Sequence, residues 1–183
     1  MKKATAFHPR VTRRFTRERG ASLLEGIAYL GIAAIVVLGA VSLLTNAFGN
    51  AKANQTTEEL IALRTAVRKL YAGQPYNTDA FMQANLVTAN AIPNTLVRGA
   101  ANAIANSWAG TVTIAGTTAS TFTITYSNVP QDVCVAIISG ATGWTSIAAN
   151  GNTPAITAFP ATTSLATTHC SVAGNNTVVF TAT

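Results

Sequence analysis

From Gly26 to Ala51 the chain carries no charged side chain, and Glu25 stands directly before that run. As a helix, these 26 residues extend about 39 Å at ~1.5 Å per residue. A bilayer core needs only about 30 Å, so the segment is long enough to cross a membrane. No proline occurs between Pro9 and Pro75, and nothing covalent breaks a helix before the AGQP turn at 72–75. Past the apolar run, Leu60, Leu63, Val67 and Leu70 step by three or four and draw a stripe down one face. Glu58, Glu59, Arg64, Arg68 and Lys69 fill much of the remainder. The pattern predicts one helix from about Ser22 to Tyr71, roughly 75 Å long, apolar all round in its first half and amphipathic in its second. Gly26, Gly31 and Gly39 each cost it about 1 kcal/mol relative to alanine. In a membrane such residues most commonly permit close approach of helices.

The charge distribution orients this helix. Of the twelve basic residues, seven lie in residues 1–20 with a single acid, Glu18. From Ala21 onward five bases face five acids, so the net charge of +6 belongs to the leader. A neutral body offers no phosphate-neutralising surface, and direct binding to nucleic acid is not expected. A basic leader before an apolar run reads first as a secretory signal. The run is too long for an ordinary signal core, and small-x-small patterns such as AVS (40–42) and ANA (89–91) are what the composition alone supplies. The excess of positive charge places the leader in the cytoplasm and the C-terminal body outside.

After Arg98 the only charged side chain is Asp132, and Thr, Ala and Asn dominate. Alternation argues against disorder: TVTIA from Thr111 and TFTITY from Thr121 have strand periodicity around an AGTTAS turn. TVVFTAT at 177–183 follows AGNN, and one or two weaker strands are expected between Ile147 and Leu165 around NGN at 150–152. NVPQDVCVAIISG suits a short helix with Pro130 at its start, although VCVAII also reads as a buried strand. TDAFMQANL is expected to begin a short helix at a Thr78 cap, and AIPNTLVRGAANAIANSW to mix helix and loop. The fold class is α+β, a long helix with an antiparallel sheet on its amphipathic half. Cys134 and Cys170 both lie beyond the apolar run; an even count in an exported domain favours one disulfide over two separate buried thiols.

An enzyme is not expected. The single histidine outside the leader, His169, adjoins Cys170, but neighbours on a strand point to opposite faces, and Cys170 is the natural partner of Cys134. One His and two Cys do not complete a zinc site, there is no phosphate-cradling GxxxxGK[ST] loop, and no cofactor is implied. Trp108 and Trp144 are expected as core anchors.

Glu25 requires a reason, because charge in a membrane segment is expensive. If the leader is removed after Gly20, Ala21 becomes the terminus and Glu25 the fifth residue. The α-amine of one helix and the carboxylate of another then neutralise each other in a low dielectric and fix the axial register of neighbouring helices. A basic leader ending in glycine, a glutamate five residues on and a long apolar helix resemble the type IV pilins. The 20-residue leader, ANSWAGTVTI (105–114), NVPQDVC, the two C-terminal cysteines and the lack of a helix-kinking proline resemble the major pilins of the type IVb branch. Alanine at the first mature position is smaller than the bulky apolar residue common in the family.

The resemblance implies a prepilin with a cytoplasmic leader over 1–20, a transmembrane and filament-core helix over 21–51, and a periplasmic, later extracellular, globular domain over 52–183. Gly20 and Ala21 would flank the prepilin peptidase cut, Ala21 would be N-methylated, Glu25 would direct assembly, and a Cys134–Cys170 disulfide would bound the variable surface. The partners implied are further copies of the chain in a helical filament and the inner-membrane assembly machinery, with adhesion, aggregation or conjugative mating contact as the use. A minor pilin, a type II secretion pseudopilin and a signal-anchored surface protein that never polymerises are the alternatives. Arg64 and Arg68 repel mildly at a spacing of four; Glu58 or Glu59 of a neighbouring chain is expected to offset this, unless the face is simply solvated.

Overall fold

Helix, then sheet, is the order along the chain. The computed structural model describes residues 23–76 and 81–183. Helix α1 (Leu23–Leu70) is followed by α2 (Met82–Thr88), β1 (Val97–Arg98), β2 (Ile104–Ala105), β3 (Thr111–Thr118), β4 (Thr121–Val129), α3 (Gln131–Ser139), β5 (Ser146–Ala149), α4 (Thr163–His169) and β6 (Asn176–Ala182). By contacts the chain divides into two units at Leu43/Leu44. The first, over its described residues 23–43, is helix with every large apolar side chain exposed. The second contains the rest of α1 and the sheet.

The sheet has six antiparallel strands in the order β1-β2-β3-β4-β6-β5. Side chains alternate across a pleat with period two, and register aligns the inward ones. Ile114 pairs Ile124, Ile124 pairs Phe180, and Phe180 pairs Ile147, a continuous apolar row across four strands. Val112, Tyr126, Val178 and Ala149 form a second such row. Against these rows α1 buries Leu60, Leu63 and Val67, with Tyr71 just after its end, all 5% exposed or less. At about 1.5–3 kcal/mol for each large apolar side chain buried, this contact anchors the α+β fold. The opposite face carries Thr113, Thr123, Thr125 and Thr181, which accounts for the threonine richness of the chain after Arg98.

Several expectations hold: the helix at Gln131–Ser139, strands β3, β4 and β6, the turn at 150–152, and strand β5 in the weakly patterned stretch. Asn150 and Gly151 have φ of +55° and +71°, the left-handed pair that asparagine and glycine tolerate best. Others are corrected. Leu70 is 37% exposed and Tyr71 fills the core position instead, since a 3.6-residue period drifts off a strict three–four spacing. The AGTTAS turn shrinks to Ala119 and Ser120, because the threonines on either side continue the ladder. The stretch from Ala91 to Trp108 is built of two short strands and one 3-10 turn, with no α-helix. The short helix near Thr78 begins at Met82 with Phe81 before it and no side-chain cap; Thr78 itself lies outside the described residues.

Candidate functional site

Two regions hold the residues to which the sequence assigns a role: the start of α1 and the disulfide-bounded part of the sheet domain. Glu25 lies in the first turn of α1, where a carboxylate favours the positive end of the helix dipole. It is exposed, and Tyr29, one turn on, donates its hydroxyl to Glu25 Oε1 at 3.4 Å. The sequence signal for this contact is the i, i+4 spacing of Glu25 and Tyr29. Gly20 and Ala21 lie outside the described residues. Around Glu25 the helix is bare: Leu23 is 88% exposed and Leu30 71%. A stretch of α1 is apolar enough to cross a membrane, with none of it buried in the chain's own fold. An apolar surface of this extent is covered by lipid or by other protein chains.

In the second region Cys134 of α3 and Cys170, the residue after α4, form a disulfide with Cα atoms 5.9 Å apart. The bond closes over α3, β5 and α4 and ends where an asparagine clasp begins. Asn150 donates to the His169 carbonyl at 3.0 Å and to Asn176 Oδ1 at 2.8 Å, and Asn152 donates to the same His169 carbonyl at 3.2 Å. Asn176, fully buried, donates to the Val129 carbonyl at 3.0 Å, and its Oδ1 accepts from the Val172 amide at 3.2 Å. Three amide side chains thus satisfy backbone groups in a region where, after Arg98, Asp132 is the only charged side chain. His169 sits at the end of α4 and not on a strand, so the alternating faces of a strand are not what separates it from Cys170. Cys170 is consumed by the disulfide and has no thiolate to offer as nucleophile.

The charges of the amphipathic half of α1 are also placed. Glu59 is buried, accepting from Gln55 Nε2 at 2.9 Å and from the Tyr126 hydroxyl at 3.4 Å. Burial first, then the Glu59 charge and hydrogen bond, raise the Tyr126 phenol well above its ordinary value. Arg64 stacks 4.9 Å over the Trp144 ring and donates to the Thr142 and Gly143 carbonyls. Partial burial, then the neighbouring Arg68, lower the Arg64 value. Arg68 donates through Nε to the Thr183 carbonyl at 2.5 Å. The expectation that a neighbouring chain's glutamate offsets Arg64 and Arg68 is therefore revised, since both are engaged within the subunit and Glu59 faces inward. Trp144 is a core anchor as expected, packed 5.0 Å from Phe180, while Trp108 is half-buried.

A long helix that is apolar and exposed at its start, buried against an antiparallel sheet further on, and joined to a disulfide-bounded C-terminal region defines a type IV pilin-like protein, a structural subunit without catalytic activity. The family model described as PilS N terminal matches residues 50–183, and the chain belongs to that family. Among solved structures, the crystal structure of a type IV b pilin from Salmonella typhi is 28% identical, covering 68% of this chain and 94% of that chain with a TM-score of 0.53. No curated protein matches the chain by sequence.

Proposed function

We propose that this chain is a type IVb major prepilin. Prepilin peptidase removes residues 1–20 between Gly20 and Ala21, and Ala21 is N-methylated. Residues 21–51 hold the subunit in the inner membrane, with the leader cytoplasmic and residues 52–183 periplasmic. The assembly machinery then extracts subunits into an extracellular filament for adhesion, aggregation or conjugative mating contact. The observation that carries this reading is Glu25, exposed in the first turn of a helix whose apolar residues 23–43 bury nothing within their own chain. A carboxylate there needs a positive partner once it leaves water, and the Ala21 amine of a neighbouring copy is the nearest charge that processing creates. Pairing the two sets the register of the growing filament.

The test is the intact mass of protein sheared from the cell surface, before and after reduction. The expected species begins at Ala21, carries one added methyl group and gains two hydrogens on reduction. A species retaining residues 1–20, absent from the sheared fraction, would instead mark an anchored monomer. Glu25→Ala is expected to be processed normally and yet to remain in the membrane.

A further inference from the structure

The face of α1 turned away from the sheet borders a groove in the globular unit. Two open cavities of about 230 and 620 Å³ share Ala62 as a wall. Glu58 lines the first and Lys69 the second, with Thr65 and Ala66 between them; the far wall comes from residues 89–95. Positions 58, 62, 65, 66 and 69 recur at the three-to-four spacing of a single helix face. The groove is therefore acidic at one end, basic at the other and floored by small side chains that let another backbone come close.

Three other charges of this half of the helix are committed elsewhere, while Lys52 is half-buried about one and a half turns before Glu58. Glu59 is met by Gln55 and Tyr126, Arg64 by Trp144 and two carbonyls, and Arg68 by the Thr183 carbonyl. Among the described residues, Glu58 and Lys69 make no ion pair or side-chain hydrogen bond and are both exposed.

We propose that this groove is a contact between copies of the chain, in which Lys69 of one copy pairs with Glu58 of another, a different neighbour from the one whose Ala21 amine meets Glu25. The inference rests on the polymerising reading above and names the surface that it uses. Eleven residues separate the two groups, about 16 Å along a helix. Parallel copies staggered by about three turns bring opposite charges together, whereas copies in level register leave each group opposite its like. The pair acts through choice of register more than through strength, as charged contacts at interfaces commonly do. Because the stagger repeats at every subunit, a small preference per contact selects one filament geometry.

Zero-length carbodiimide coupling of intact sheared filaments, followed by peptide mapping, tests this. Beyond the leader the chain has only two lysines, Lys52 and Lys69, so few amides can form. One α1 helix holds Glu58 and Lys69 about 16 Å apart, so an amide directly between them joins two copies. The expected result is a covalent ladder extending beyond dimer, containing the Glu58–Lys69 cross-link, which disappears in Glu58→Gln. Glu58→Lys and Lys69→Glu are each expected to lower filament yield about threefold, the scale of one exposed ion pair, and the double reversal to restore it. Both are exposed helix positions, and unchanged melting of each variant confirms that folding is intact. A ladder without this cross-link, a product that stops at dimer, or a double variant no better than the singles overturns the contact while leaving polymerisation standing. Absence of any covalent oligomer in intact filaments likewise overturns the contact, whereas absence of the protein from the sheared filament fraction overturns the polymerising reading itself.

Discussion

Tyr126, at the centre of the sheet, donates its hydroxyl to Glu59 on α1 at 3.4 Å, so a buried carboxylate is met by a phenol where a cation would be the usual partner. The same carboxylate accepts from Gln55 at 2.9 Å, one helical turn earlier. The pairing links helix to sheet with a polar contact inside an apolar layer, where an unpaired group would be costly.

The raised Tyr126 phenol makes stability depend on alkaline pH. The folded state keeps the proton above the unfolded value of about 10, so the contribution is complete below that pH. As pH rises further the unfolded chain ionises first, and stability falls by about 1.4 kcal/mol per pH unit from this group alone. Thermal melts between neutral pH and pH 11.5 check this: the native protein is expected to lose stability more steeply than Tyr126→Phe. At neutral pH that variant is expected to be less stable by about 1–3 kcal/mol, because Glu59 loses a donor. Parallel pH profiles for the two proteins would remove Tyr126 as the cause.

Arg64 joins three things at once: the Trp144 ring and the carbonyls of Thr142 and Gly143. Arg64→Lys keeps the charge but loses the planar group that stacks and donates in two directions. A loss of about 0.5–2 kcal/mol is expected, with quenching of Trp144 fluorescence altered in both Arg64→Lys and Arg64→Ala. If Arg64→Lys matches the native protein in stability and emission, charge alone suffices and the stacking contributes nothing.

How far the sequence carried can be judged from particular residues. Strand periodicity set Val112, Ile114, Phe122 and Ile124 on one face of their strands, the face the fold buries, because a two-residue period leaves only two faces to choose between. The same logic failed for Glu59. Its charge marks it for solvent, and only the position of Tyr126, 67 residues away in sequence, gives it a reason to be inside. Arg64 and Arg68 misled in the opposite direction: their spacing suggested mutual repulsion needing an outside partner, yet the loop at Thr142–Gly143 and the Thr183 carbonyl satisfy them. The asparagine clasp was also invisible. Asn150 and Asn152 were readable as turn residues, but that their side chains reach His169 depends on the return of α4 to the sheet. At the start of α1 the outcome was different, since Glu25 and the run behind it follow from composition and length alone.

Gly110 offers a test of local packing. A Cβ there would lie 2.0 Å from the Ser127 carbonyl oxygen, a backbone atom that cannot rotate away. The surrounding turn is held by Asn106, whose Oδ1 accepts from the Trp108 and Gly110 amides at 3.0 and 2.9 Å and whose Nδ2 donates to Ser127 at 2.7 Å. Gly110→Ala is expected to cost about 1–3 kcal/mol and to raise amide exchange at Thr111 and Ser127 before it affects β6. Uniform exchange across the domain would instead mean that the turn and the sheet unfold as one unit.

The disulfide and the asparagine clasp hold the same segment from two ends, and their contributions can be separated. The bond joins residues 36 apart, for which the chain-entropy model gives about 4 kcal/mol. Cys134→Ser with Cys170→Ser is expected to lose up to that amount, chiefly by freeing the unfolded chain, while β5 and α4 retain native contacts. Asn176→Ala acts in the folded state, stranding the Val129 carbonyl and the Val172 amide in a buried site, at about 1–3 kcal/mol for each group left unpaired. Native-state hydrogen exchange distinguishes the two: residues 146–170 are expected to stay protected in the serine variant under mild conditions and to open locally in Asn176→Ala. Local opening in the serine variant alone would mean that the bond, and not the asparagines, holds this region in its folded form. The two effects meet at Cys170, which follows the carbonyl that Asn150 and Asn152 share. Combining the substitutions is therefore expected to depart from the sum of the separate losses by about 0.5–3 kcal/mol, the coupling that neighbouring sites show.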